Sequence, residues 1–235
     1  MGIDLYAGPL CRYYARDFVT PAMALFPPER RNVLDPKTGK VQRHKPENPA
    51  KYRNAILGWM LEIKPRLRRA GPMVVRWQEL PRSEYFCDQY RTWHELRYFA
   101  AYAQVKELEM PRQYFHSQSP DAAFEIAREM GYESEFASII HCKLWLPLEH
   151  RHPIEIVLPT QERSPVGSVA GLRAEAEDLA RRFLGESTVT LDTLQAVNAD
   201  ESRTPLERAA ADGIFRILRV TDFALTHKQP VVVDY

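Results

Sequence analysis

Glycine is scarce in this chain: 10 residues in 235, scattered, against 18 prolines. No GxxxxGK[ST] or GxGxxG run can be assembled from them, which excludes the usual phosphate-cradling loops. HExxH and the GxSxG nucleophile elbow are absent as well, and with them the common zinc-protease and serine-hydrolase designs. Cysteine is rarer still. Cys11, Cys87 and Cys142 are odd in number and widely spaced with no CxxC pair, the usage of a reducing cytoplasm with buried thiols rather than of a disulfide framework or a zinc site. No stretch approaches 18 consecutive apolar residues, so no membrane-spanning helix is expected. The start has no basic lead-in and is interrupted by Gly8-Pro9, unlike a signal peptide, and Tyr6 stands where a myristoylation signal wants Ser or Thr.

What is present is an apolar fraction of 45% with 11% aromatics, enough for a substantial core. The net charge of +1 conceals an uneven layout. Residues 1–82 hold 16 Lys and Arg against 7 Asp and Glu, whereas residues 83–235 hold 16 against 24. Such a dipole in sequence either closes on itself in the fold or leaves a basic surface for an acidic partner.

The pattern along the chain predicts an α+β protein in one domain. A small sheet should include a strand at residues 3–7 and a terminal strand at Val231–Val233, packed with several amphipathic helices. Leu10 to Phe18 reads as one or two helical turns. Residues 29–49 lack periodicity and read as a mobile loop or a hairpin tip, with Lys37 to Lys40 as a turn. Asn48-Pro49 caps a helix carrying Ile56, Trp59, Met60 and Ile63, ending near Gly71-Pro72, and Met73 to Trp77 reads as a strand. Phe86, Tyr90, Trp93, Leu96, Phe99, Ala100 and Ala103 repeat at helical spacing. A short helix capped at Ser119 to Asp121 stops at Gly131. Lys143 to Pro147 and Ile154 to Leu158 read as strands. Ser168 caps a helix through Phe183, and Thr204-Pro205 opens a long apolar one to Thr226. Residues 160–167 are the best candidate for a domain boundary.

Four constellations could carry function. Glu149, His150 and His152, with His141 and Cys142 nearby, form a metal-like cluster, but Arg151 and Pro153 make an exposed turn the better reading, so neither metal nor cofactor is expected. His94 and Glu95 flank the buried face of the periodic helix. With Asp4, Tyr6 and Arg12 they would make the acid/base set of a hydrolase or transferase acting on a nucleotide or a modified protein, provided all five converge. Arg30, Arg31, Lys37, Lys40, Arg43, Lys45, Lys51 and Arg53, continuing to Arg66, Arg68 and Arg69, offer a phosphate-neutralising surface for nucleic acid, with Tyr52 available for stacking. A chain pI near 7.8 and the lack of a nucleic-acid motif weigh against it. Finally, Arg12, Tyr13, Tyr14, Arg43, Lys45, Tyr52 and Arg53 have the Arg/Tyr composition of protein-binding surfaces. Within this group Arg12 is the natural partner of Asp4 or Asp17.

The opening Gly2-Ile3-Asp4-Leu5-Tyr6-Ala7-Gly8-Pro9-Leu10-Cys11-Arg12-Tyr13-Tyr14 resembles a group of uncharacterised bacterial proteins that begin MGxDLYxGxLxRYY. The aromatic helix from Tyr85 to Tyr102, Gly167-Ser168 before a helix, and the ending from Pro230 to Tyr235 are similar too. Cys11 replaces the Thr of that pattern, and the basic stretch from Arg30 to Lys45 has no counterpart in it. The resemblance implies no catalytic residue. By analogy with other cytoplasmic α+β chains of this size, it implies an immunity protein that neutralises a secreted toxin through direct protein contact.

Overall fold

The computed structural model describes residues 4–34, 40–69, 77, 79, 84–87, 92–114, 121–149 and 152–234. Among them the chain forms a six-stranded mixed sheet with helices on both faces. Strands β1 (Asp4–Ala7), β4 (Tyr85–Cys87), β5 (Leu144–Leu146), β6 (Ile154–Val157), β7 (Arg163–Ser168) and β8 (Val231–Asp234) lie in the order β4-β1-β8-β5-β7-β6. Every neighbouring pair is antiparallel except β5 with β7. A separate hairpin joins β2 (Asn32–Leu34) to β3 (Val41–Arg43). This is the α+β architecture with both terminal strands in the sheet, and β1 and β8 pair in its interior.

Alternation along the strands divides the core in two. Leu5, Ala7, Trp145, Val231 and Val233 face one side. They meet α4 (Trp93–Gln104), α5 (Ala122–Glu129), α6 (Ala137–His141), α7 (Val169–Leu179), α8 (Leu191–Ala199) and α9 (Pro205–His227). Tyr6, Leu144, Leu146, Ile156 and Val232 face the other, under α1 (Leu10–Tyr14) and α3 (Ala50–Arg69). There the Trp59 indole on α3 donates to the Val157 carbonyl at 2.6 Å, fastening the helix to the sheet edge. A short α2 (Pro21–Ala24), capped by Thr20, leads toward the hairpin. No helix among the described residues is long and apolar enough to cross a membrane.

The helix starts follow local chemistry. The side chains of Asp121, Ser168 and Thr204 accept from Phe124, Gly171 and Glu207 N–H groups, each satisfying a backbone donor left over in the first turn. At Gly131 the φ of 57° ends α5 in a conformation that glycine adopts without strain.

Two expectations change. Tyr85 to Cys87 falls inside the helical repeat but forms β4, because pairing to β1 (Leu5 with Cys87, Ala7 with Tyr85) outweighs the local period; α4 starts only at Trp93. The candidate boundary at 160–167 is β7, an interior strand between β5 and β6. Its Pro165 is tolerated toward β6. The bond from Leu158 N to the Glu162 carbonyl sets a parity that places Pro165 in a non-hydrogen-bonded pair with Glu155. Residues 29–49 include the β2–β3 hairpin. The expected strand from Met73 and turn from Lys37 lie outside the described residues, apart from Trp77 and Lys40.

Gly167 shows how tight the centre is, since a Cβ there would strike the Trp145 ring at Cδ1 and Nε1, and Trp145 is fully buried. Gly167→Ala is expected to cost about 2 kcal/mol of stability through overpacking, read as a lower urea midpoint at unchanged slope.

Candidate functional site

The site grows from the junction of β1 and α1. Gly8-Pro9 turns the chain, and Pro9 has no side chain with which to cap α1. A remote carboxylate does that work. Glu79 is buried and accepts from Leu10 N at 3.2 Å, Cys11 N at 2.7 Å and the Trp77 indole at 2.8 Å. Negative charge at a helix start is favourable, so Glu79 pins α1 in place. Cys11 is an inert thiol, pushed up to about 12 by burial and by its hydrogen bond to Glu79.

Pinned in this way, α1 presents Arg12. Its Nε donates to the Asp17 carbonyl and carboxylate, both at 3.1 Å, and Nη2 donates to that carbonyl at 2.8 Å. Nη1 stands 3.2 Å from Glu84. Burial pushes the Glu84 carboxyl up, and Arg12 opposes that rise. The partner of Arg12 is therefore Asp17, with Glu84, and this guanidinium is a structural clamp. Tyr6 is fully buried, donates to the Pro9 carbonyl at 3.0 Å and packs on Tyr13 and Phe18 at ring distances of 5.5 and 5.9 Å. Burial raises its phenol far above the usual range. Tyr13 and Tyr14 are half-buried against the same core, and burial brings the Tyr14 phenol up to about 12.

Beside Arg12 opens a cleft of about 480 Å³, floored by Asp17 and Phe18 and rimmed by Arg31, Arg43 and Lys45. The hairpin end is rooted by buried His44, whose Nε2 donates to the Arg16 carbonyl at 2.8 Å while its ring lies 6.0 Å from that of Phe18. Arg31 Nε donates to the Met23 and Phe26 carbonyls at 3.2 and 3.1 Å. Its guanidinium is thereby aimed without being neutralised. Arg43 and Lys45 are exposed and form no ion pair among the described residues. On the same α2-to-hairpin segment, Leu25, Phe26 and Val41 are 81%, 53% and 71% exposed. The acids of the cleft are engaged by Arg12, so the charge it shows to solvent is cationic.

The structure brings together only part of what the sequence singled out. Arg12, Arg43 and Lys45 line the cleft. Tyr52 and Arg53 stand on the first turn of α3 outside that lining, with Tyr52 donating to Glu47 at 2.9 Å. The five residues of the enzymatic alternative do not converge. Asp4, Tyr6 and Arg12 belong to β1 and α1, whereas His94 and Glu95 sit on α4, across the sheet from α1. The basic run also divides, since α3 is about 30 Å long and carries Arg66 and Arg68 at the end away from Lys51. Of the metal-like cluster, His150 and Arg151 lie outside the described residues. No group of three or more potential ligands is assembled among the others. Glu79 and His44, which set the shape of the cleft, drew no attention in the sequence. Glu79 stands in the mixed run Arg76-Trp77-Gln78-Glu79, and His44 between the cations Arg43 and Lys45, so neither is marked by a motif.

No protein-family model matches the chain, and no curated protein or solved structure is significantly similar to it.

Proposed function

We propose that this chain is a non-enzymatic binding protein of the cytoplasm whose basic cleft docks an acidic protein partner, in the manner of an immunity protein that neutralises a toxin by direct contact. The observation that carries the reading is that three cations of the cleft, Arg31, Arg43 and Lys45, belong to the same α2-to-hairpin stretch of chain as large apolar side chains left in water at Leu25, Phe26 and Val41. Cations alone would suit a polyanion of any kind. Cations among exposed aliphatic and aromatic groups suit a protein surface, where apolar contact supplies affinity and charge supplies orientation and on-rate. Three free, buried cysteines accord with a reducing compartment.

Mixing the purified chain with the product of the neighbouring gene tests the reading. A stable complex is expected, weakened about 100-fold by the double substitution Arg43→Glu with Lys45→Glu, because both positions are exposed and their reversal sets like charges against the partner. A complex indifferent to that reversal, or no complex, overturns it. Retention of duplex DNA that falls steeply with salt would shift the assignment to nucleic acid.

A further inference from the structure

We infer that the acidic partner enters as an extended segment that adds a strand to the outer edge of β3, an inference that rests on the proposed docking at the cleft. The hairpin's own hydrogen bonds carry the argument. His44 N donates to the Arg31 carbonyl at 2.8 Å, and in the β2–β3 register Asn32 faces Arg43 while Val33 faces Gln42. Hydrogen-bonded and non-hydrogen-bonded pairs alternate in an antiparallel ladder. Arg31 with His44 and Val33 with Gln42 are thus the bonded pairs. Asn32 with Arg43 and Leu34 with Val41 are the others. The N–H and C=O groups of Val41 and Arg43 consequently point away from β2, along an edge on which no described residue meets them. β3 belongs to a two-stranded sheet, and all three of its residues are exposed.

The side chains along this edge have a period. Residues 43, 44 and 45 run exposed, buried, exposed, so Val41, Arg43 and Lys45 stand on one side of an extended stretch while His44 holds it from the other. Positions two apart in a strand are separated by about 6.7 Å, in the captured strand as in the capturing one. An apolar residue opposite Val41 and carboxylates opposite Arg43 and Lys45 therefore match without adjustment, and cross-strand pairs of opposite charge and of apolar groups each add to stability. A second copy of this chain does not fit, because β3 against β3 would bring Arg43 and Lys45 toward their own kind. Nucleic acid offers no N–H and C=O ladder to meet the exposed ones. The recognition mode is strand addition, with main-chain bonds supplying affinity and alternate side chains supplying choice.

The experiment titrates the ¹⁵N-labelled full chain with capped seven-residue peptides in which Val, Glu and Glu alternate with Thr, in both orders. Shifts confined to the amides of residues 41–45 and the cleft are expected, with exchange of the Val41 and Arg43 N–H protons slowed at least tenfold at saturation. A peptide N-methylated on the edge facing β3 should bind at least tenfold more weakly, and Arg43→Glu with Lys45→Glu should lower affinity by a similar factor. Equal binding of the N-methylated peptide overturns strand addition while leaving charge-led docking intact. No shift at millimolar peptide also overturns it, and the complex with the neighbouring gene product then decides the docking reading separately. A heparin fragment that moves the same amides more strongly than the peptides overturns both.

Discussion

Glu79→Ala is expected to lower the free energy of unfolding by about 3–5 kcal/mol. Three donors lose their acceptor together: Leu10 N, Cys11 N and the Trp77 indole. All three residues are buried, so water does not replace the carboxylate without opening the fold. Removing a shared acceptor costs the net value of its bonds and also leaves the donors desolvated and unpaired. Glu79→Gln separates the contributions. It keeps one acceptor oxygen but turns an NH₂ toward donors, and about half the loss should remain. Urea unfolding of the two variants beside the parent provides the measurement. If Glu79→Ala unfolds within 1 kcal/mol of the parent, the carboxylate is not what holds α1, and the cleft has another foundation.

The second large effect concerns pH. Glu175 on α7 is partly buried, and its two oxygens accept from Ser138 N and Ile139 N at the start of α6, at 2.9 and 3.0 Å. Burial dominates those bonds and brings the carboxyl up from 4.5 to about 7. A folded-state pKa above the unfolded one means that the native protein binds the proton more tightly. This contribution to stability is complete below about pH 4.5 and is lost as the pH rises through about 7. The shift corresponds to something on the order of 3 kcal/mol. Unfolding free energy should therefore slope downward between pH 5 and pH 7.5, and Glu175→Gln should flatten that slope while losing one of the two bonds to α6. A parent and variant with parallel pH profiles would remove Glu175 as the cause. The other end of α6 is held by Arg97, whose guanidinium donates to the Ile140 carbonyl. The short helix is thus held at its first turn by a carboxyl that accepts and near its last by a guanidinium that donates.

Features that depend on neighbours in sequence were legible beforehand. The caps at Asp121, Ser168 and Thr204, the apolar face of α3 and the terminal strands could be read because each is decided within a few residues. What escaped was decided by partners far along the chain. Tyr85 to Cys87 has a helical period and becomes a strand because β1 needs a neighbour. Arg163 to Ser168 begins like a linker and becomes a strand because β5 and β6 flank it. The site divides in the same way. Arg12, Arg43 and Lys45 announced themselves by type, but Glu79 lies 68 residues from the helix start it caps, and His44 reaches 28 residues back to Arg16. Composition carries no trace of such distances.

The pairing of β1 with β8 has a consequence for how the molecule comes into being. Asp4 to Ala7 find their partners only at Val231 to Asp234, after all the intervening chain has been made. The loop-closure entropy for that contact is among the largest the chain can incur, and folding rates fall as such contacts come to dominate. On the ribosome, the seam between the two strands cannot close before β8 has emerged. Until then α1 and the basic cleft beside it rest on a sheet without β8, so the cleft takes its final shape no earlier than Val231 to Asp234 are made.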